Sequence, residues 1–527
     1  MLADFFIRSA KKNPSNISLE VGERSYTYAE LSDLSQKIAA SIGISPASKE
    51  RVGDKHFICI LSNRSITSYA GVLGTLISGN GYVPLNPKFP VERTLTMFNI
   101  SQAHCIIIGD ECHDHLQELL PFITKPLLLL FPDTNELNDI ADKYPQHIFI
   151  TRSAIAEQKI QELTKGNSDP IAYLLFTSGS TGIPKGVPVS NSNAVAYISY
   201  ILNNYKIISS DRCSQAFDLT FDPSVHDMFV CWGAGACLCV VPQEDVMAPA
   251  KFIRDKNLTV WYSVPSIGKM LAQMRMLKPT SFPLLKYSFF SAEALTQKMT
   301  EEWQEAAPNS TIVNFYGPTE VTVNVTHYAW NPKTSPQKCI NGNVPLGKIF
   351  ETQQYFILDE NKNKVISGEP GELYLSGSQL TKGYLNDPEK TAYHYVTISN
   401  EKGICYRTGD LVKEDIDGDI HFLGRIDDQI KIRGFRVELQ EIDFVLQSAS
   451  GTDLAIAIPI RNSDNSVKKI AAFICDVNGN LNTEIIMAEC RKKLPDYMIP
   501  SEIYFVKQMP LNANGKIDRK QLLKNIV

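Results

Sequence analysis

Short runs of β-branched and other apolar residues recur along the first 320 residues: HFICIL (56–61), HCIIIG (104–109), PLLLLF (126–131), HIFI (147–150), ACLCVV (236–241), LTVWYSV (258–264) and STIVNFYG (310–317). Helix-like stretches such as 28–41 and 64–78 alternate with them. Alternation of this kind predicts an α/β fold of layered sheets and helices with largely parallel strands. After about residue 340 the strands shorten and asparagine and glycine turns appear, as in GKIFETQQYFILDENKNKVISGEPGELYLSG (347–377). That pattern predicts a small antiparallel, barrel-like subdomain over about 340–426. A further change falls near GRIDDQIKIRG (424–434), followed by about 100 residues of βαβ flavour, enough for one small independent domain. The expected layout is a large N-terminal domain over 1–426 and a small C-terminal α+β domain over 427–527.

Composition narrows the field. The chain has 527 residues, 43% hydrophobic and 21% charged, with net charge −5. Neither a basic excess nor a charge block marks a nucleic-acid partner. The N-terminal MLADFFIRSAKKNP lacks the basic-then-apolar order of a signal peptide, and no apolar run approaches the length needed to span a bilayer. Eleven cysteines occur without a C-x-x-C pair, the nearest approach being Cys237 and Cys239. They read as reduced, partly buried thiols of a cytoplasmic protein. Cys112, His113, Asp114 and His115 are too nearly consecutive to converge on one ion, and read as the start of a helix.

The stretch LLFTSGSTGIPKGV (174–187) follows an apolar strand-like run and carries the first candidate chemistry. Backbone N–H groups of a Gly/Ser/Thr loop can turn inward onto phosphate oxygens, and hydroxyls add donors. It is not the G-x-x-x-x-G-K-[ST] loop, since Gly179 and Gly182 are three apart and glycine follows Lys185. A flexible surface loop with an exposed lysine is the alternative reading.

This stretch resembles the signature loop of the adenylate-forming superfamily of acyl-CoA synthetases, luciferases and nonribosomal peptide synthetase adenylation domains. Further motifs of that superfamily follow in order: SYTYAEL (25–31), GNGYVPLNPKFPVERT (79–94), FDPSVHDMF (221–229), NFYGPTE (314–320), GELYLSGSQLTKGYLN (371–386), YRTGDLV (406–412), GRIDDQIKIRGFRVEL (424–439) and NANGKIDRK (512–520). The resemblance implies ATP and Mg²⁺ as co-substrate and cofactor. Thr177, Ser178, Gly179, Ser180, Thr181, Gly182 and Lys185 would hold the β- and γ-phosphates. Asn314 would hydrogen-bond adenine and Tyr316 stack on it, beside Phe315 and Gly317. Thr319 would touch the α-phosphate, Glu320 with Thr177 would hold the metal, Asp410 would accept the ribose hydroxyls, and Arg425 would meet the nucleotide. Lys516 would bridge the substrate carboxylate and the α-phosphate, stabilising two anions brought together. Asp427 would be the hinge of a mobile C-terminal domain, and the loop around Gly434 would then guide an incoming thiol.

Asp222 of FDPSVHDMF stands where amino-acid-activating relatives pair an aspartate with the substrate ammonium. The competing role is a cap on the following helix. Carried over position by position, the side-chain pocket comprises Asp222, Pro223, His226, Ser263, Phe289, Ser291, Phe315, Val323 and Asn324. Two phenylalanines would fill much of it, which favours a small amino acid such as alanine, glycine or serine. His226 is either a hydrogen-bond partner for a polar side chain or a satisfied core histidine. No GGHS- or GGDS-type phosphopantetheine site occurs in the sequence, so the expected thiol belongs to a carrier protein in trans. The pattern is similar to stand-alone amino acid adenylation enzymes and D-alanine–carrier protein ligases. An acyl- or aryl-CoA ligase is the runner-up.

Overall fold

The structure is a computed structural model that describes residues 1–44, 56–137, 139–159, 169–179, 182–398, 403–462, 466–477, 479–510, 517 and 519–524. Contacts divide the chain into two units. The first comprises 1–87, 98–175 and 186–426, and the second comprises 88–97, 176–185 and 427–527.

The predicted alternation becomes two parallel-rich sheets in the first unit. A nine-stranded sheet runs Lys348–Ile349, Thr326–Ala329, Thr311–Tyr316, Tyr287–Phe290, Val260–Ser263, Arg212–Gln215, Cys237–Val240, Ile17–Val21 and Arg24–Thr27. Its six central strands pair parallel, and antiparallel partners close both edges. A second sheet of seven strands is ordered Ile148–Ile150, Leu128–Leu130, Cys105–Ile108, Phe57–Leu61, Gly81–Leu85, Ile171–Thr177 and Lys185–Ser190. Central strands covered on both faces need apolar residues at every position, and Phe57–Leu61 and Cys105–Ile108 are buried throughout.

The expected helices form at Tyr28–Ile42, opened by a Thr27–Glu30 capping box, and at Ile66–Ile77. Residues 113–119 do start a helix, and all eleven cysteines are free thiols. The helix Pro223–Ala234 begins on a proline, whose missing N–H costs nothing there, and ends on Gly235 at φ 76°. The antiparallel region beyond residue 340 is a five-stranded sheet built from Gln353–Leu358, Gly371–Gly377, Cys405–Glu414, Tyr395–Val396 and Ile420–Arg425.

In the second unit a hairpin of Gln429–Ile432 and Phe435–Glu438 precedes the helix Leu439–Ser450. Its two-residue turn puts Arg433 at φ 50° and Gly434 at φ 82°, the left-handed pair that matches the twist of flanking strands. Ala455–Arg461, Val467–Cys475 and Glu502–Val506 make a three-stranded sheet. Its last two strands are parallel, with Thr483–Lys493 as the intervening helix. Ile442, Leu446, Ile474 and Ile486 pack its core. Among the described residues no helix is long and apolar enough to cross a membrane.

Candidate active site

The helix Pro223–Ala234 presents Asp222 at its N-cap and His226 one turn later. Asp222 makes no capping bond, which removes the competing structural role. Thr319 and the Val323 backbone face its carboxyl and favour its charged form, while Oδ2 is buried without a hydrogen-bond partner among the described residues. Burial pushes this acid up to about 7, opposed by Thr319 and reinforced by the charge of Glu320. Pro223 is buried as the first residue of the helix and sets its start.

His226 enters a polar network. Its Nδ1 meets the hydroxyl of Tyr197 at 2.7 Å. Asn324 Nδ2 donates to the hydroxyls of Tyr197 and Tyr262, both at 2.9 Å. Tyr262 also pairs with Ser291 Oγ at 2.8 Å. Phe289 and Phe315 close the cluster with ring centroids 5.2 Å apart. Burial alone pushes His226 down to about 3, so the imidazole is neutral.

One expected wall position is corrected. Ser263 accepts a hydrogen bond from Trp261 Nε1 at 2.9 Å, on the face of its strand opposite the cluster. Successive strand residues point to opposite faces, so the residue that meets His226, at a ring distance of 4.5 Å, is Tyr262. On the neighbouring strand Phe290 packs onto Trp303, while Phe289 and Ser291 meet His226 and Tyr262. Ala292 sits at φ 70°.

The strand Thr311–Tyr316 and the turn after it supply the nucleotide candidates. Asn314 donates through Nδ2 to the Pro345 carbonyl at 2.8 Å, and its Oδ1 is buried and unpaired. That acceptor suits an exocyclic amine. Tyr316 donates its hydroxyl to Asp410 Oδ2, and Arg425 pairs with Asp410 Oδ1 at 2.8 Å. The antiparallel register sets Asp410 directly opposite Arg425. Gly317 is needed because a Cβ there would lie 2.6 Å from Asn324 Cα and the Val323 carbonyl. Thr319 faces the Asp222 carboxyl and favours its charged form. Fully buried Glu320 accepts from the Tyr384 hydroxyl at 2.7 Å.

Among the described residues no group of three or more His, Cys, Asp or Glu could hold a metal ion. A single oriented carboxylate still fits Mg²⁺, a hard cation that binds through one or two carboxylates plus substrate phosphates.

In the second unit, Ser178 Oγ donates to the Arg436 carbonyl at 2.9 Å and receives Glu438 N–H at 3.0 Å. Gly179 N–H reaches Glu441 Oε2 at 3.1 Å, and Lys185 lies 3.6 Å from Glu438. Glu441 also pairs with buried Arg93 at 2.6 Å. Thr177 Oγ1 is buried and unpaired. Gly182 takes φ 77° beside Phe444. Ser180, Thr181 and Lys516 lie outside the described residues. Asp427 opens the last segment of this unit and receives Gln429 N–H.

The sequence pattern does not single out Tyr197, Tyr262 or Tyr384. Only Tyr262 carried a signal, since two-residue alternation from Val260 places it opposite in sense to Trp261 and Ser263.

The AMP-binding enzyme family matches residues 6–385, and the AMP-binding enzyme C-terminal domain matches residues 442–516. The D-alanine–D-alanyl carrier protein ligase of Lacticaseibacillus casei (strain BL23) is 28% identical, over 98% of both chains. The zwittermicin A synthase ZmaJ of Bacillus cereus is 32% identical over 98% of this chain and 93% of its own. Among solved structures, the Vibrio cholerae adenylation domain AlmE in complex with glycyl-adenosine-5'-phosphate superposes with a TM-score of 0.89. It is 31% identical, over 100% of this chain and 97% of that one.

Proposed function

The chain belongs to the AMP-binding enzyme family, and from that premise we propose that it activates a small amino acid as an aminoacyl-adenylate and passes it to the phosphopantetheine thiol of a separate carrier protein. The observation that carries the amino acid reading is the unpaired, buried Oδ2 of Asp222. An uncompensated buried carboxylate is costly, and a substrate ammonium beside it restores the balance. A fatty or aryl acid brings no cation to this position. The relatives that act on amino acids or carry a glycyl adenylate in their names support the same reading.

In the first half-reaction a carboxylate oxygen attacks the α-phosphorus of ATP, the bond to the β-phosphate oxygen breaks, and pyrophosphate leaves. Asn314 Oδ1 would receive the adenine amine, Asp410 the ribose hydroxyls, and Asp222 the ammonium, so that the reacting atoms meet in a fixed geometry. Lys516 would neutralise the two approaching anions. Glu320 would hold Mg²⁺, which offsets the charge of the phosphate oxygens. In the second half-reaction the carrier thiolate attacks the acyl carbon and AMP departs, with Asp427 as the hinge and Gly434 on the path of the thiol. Thr177, Ser178, Gly179 and Lys185 would serve the phosphates.

Pyrophosphate exchange across amino acids, fatty acids and aryl acids tests the reading. Exchange driven by amino acids, and nearly abolished by Lys516→Ala with ATP binding retained, is the expected result. Exchange driven only by fatty or aryl acids would refute it.

A further inference from the structure

Asn314 Oδ1, Asp222 Oδ2 and His226 Nε2 are among the buried polar atoms of the first unit that have no hydrogen-bond partner among the described residues. In the reading above, the first two answer to the adenine amine and the substrate ammonium. The third has no assigned counterpart. His226 is 2% exposed, and leaving such a group unpaired costs the full desolvation of a polar atom.

Proton accounting fixes what His226 offers. A neutral imidazole has one donor nitrogen and one acceptor nitrogen. Asn324 Nδ2 has two hydrogens, and they go to the hydroxyls of Tyr197 and Tyr262. Tyr197 therefore accepts from Asn324 and keeps its own hydrogen to give. Its other partner is His226 Nδ1 at 2.7 Å. With Nδ1 accepting, the ring proton sits on Nε2, and the unpaired atom is a donor.

Enclosure and charge bear on what can meet it. The rings of Tyr262, Phe289 and Phe315 stand 4.5, 5.5 and 6.1 Å from the imidazole, and all three are at most 1% exposed. These buried rings enclose the imidazole, and a carboxylate side chain brought to it would face Asp222 with no added cation. A hydroxymethyl group is small and accepts a hydrogen bond.

We propose that the substrate is serine, with its side-chain hydroxyl received by His226 Nε2–H, and that His226 is the specificity-determining residue between serine and the smaller, non-hydroxylated amino acids. The proposal rests on the amino acid reading of Asp222. A buried donor left unpaired by the wrong substrate discriminates more strongly than the loss of a methylene.

The test is pyrophosphate exchange by the full chain with both enantiomers of serine and alanine, and with glycine. One serine enantiomer should exceed alanine and glycine by at least about tenfold in kcat/KM. Alanine or glycine at parity or ahead would overturn the proposal and leave amino acid activation standing. Exchange only with fatty or aryl acids would overturn both. His226→Phe should bring the serine-to-alanine ratio near one while the KM for ATP stays within about twofold, and His226→Gln, which restores a donor, should recover part of the preference. An unchanged ratio in His226→Phe would remove His226 from the account.

Discussion

Gln379 and Thr322 hold each other by two hydrogen bonds: Gln379 Nε2 donates to the Thr322 carbonyl at 3.0 Å, and the Thr322 hydroxyl donates to the Gln379 carbonyl at 2.6 Å. The same amide reaches the carbonyls of Asn324 at 2.8 Å and Val321 at 3.3 Å. The segment it grips is strained, because Thr322 and Val323, both β-branched, take φ 54° and 67°. Such residues cost about 1–3 kcal/mol each and persist only when their surroundings over-determine them. Directly after these strained residues, Asn324 joins the His226 cluster through Tyr197 and Tyr262.

Gln379→Leu should therefore release the segment. Buried carbonyls lose their donor, which lowers the melting temperature. The informative readout is the split between substrates. The amino acid KM should rise about tenfold or more while the KM for ATP changes little. Equal changes in both would mean that Gln379 supports the fold without positioning the wall.

Asp222 sets stability against function. Its folded pKa of about 7 lies above the ordinary 3.8, so the folded, ligand-free protein keeps a proton that the unfolded chain has released. The folded state then binds more protons, and stability falls as pH rises from about 4 to 7. Asp222→Asn removes that penalty. The variant should melt at a higher temperature than the parent at pH 7.5, by an amount worth at most roughly 4 kcal/mol, and the gain should vanish near pH 4. It should also lose amino-acid-dependent exchange. Calorimetry from pH 4 to 8 checks the first claim.

In the proposed function the same group governs binding. An ammonium substrate needs the carboxylate form, so the amino acid KM should climb as pH falls below about 7, approaching tenfold per unit. His226 does not contribute, because burial holds it neutral down to about pH 3. The measurement is KM for the amino acid from pH 5.5 to 8 at saturating ATP. A flat profile would place the ammonium elsewhere.

Tyr384 reaches Glu320 from the segment GSQLTKGYLN, 64 residues away in sequence. If Glu320 holds Mg²⁺ as proposed, an outer partner that orients it should alter metal affinity by about 10–100-fold. Tyr384→Phe keeps the ring, packed at 5.8 Å on Tyr395, and removes only the hydroxyl. The expected result is a raised Mg²⁺ requirement both for exchange and for ATP binding measured by calorimetry without amino acid. An unchanged metal dependence of ATP binding would make Tyr384 a packing residue.

What the sequence revealed and what it hid follow from the range of the interactions. Buried strands such as Phe57–Leu61 declare themselves because every position must be apolar, and the helix at Tyr28–Ile42 because its cap is written in Thr27 and Glu30. Asp222, Asn314 and Asp410 can be proposed from sequence because each lies inside a contiguous motif. Gln379 and Tyr384 also lie in a motif, yet their work is done on residues 55 to 64 positions earlier, and nothing local records that. Tyr197 belongs to an amphipathic helix, where an aromatic residue reads as core. The grip of Ser178 and Gly179 on residues 436–441 was likewise invisible, since the partner lies some 260 positions on.

The strand Val260–Ser263 converts this lesson into a final experiment. A one-residue slip in reading a strand exchanges its two faces completely. Transfer by motif had pointed to Ser263, but the pleat gives that side chain to Trp261 Nε1 and gives Tyr262 to Asn324 and Ser291. Ser263→Ala removes a buried acceptor from an indole on the far face. It should lower stability by about 1 kcal/mol and leave the ratio of kcat/KM values among amino acids unchanged. Tyr262→Phe keeps the ring but deletes the hydroxyl that orders Asn324 and Ser291. It should change that ratio by about tenfold, because Asn324 then has a hydrogen without an acceptor and the wall facing His226 is no longer fixed. A selectivity change in the serine variant but not in the tyrosine variant would reverse the assignment of faces.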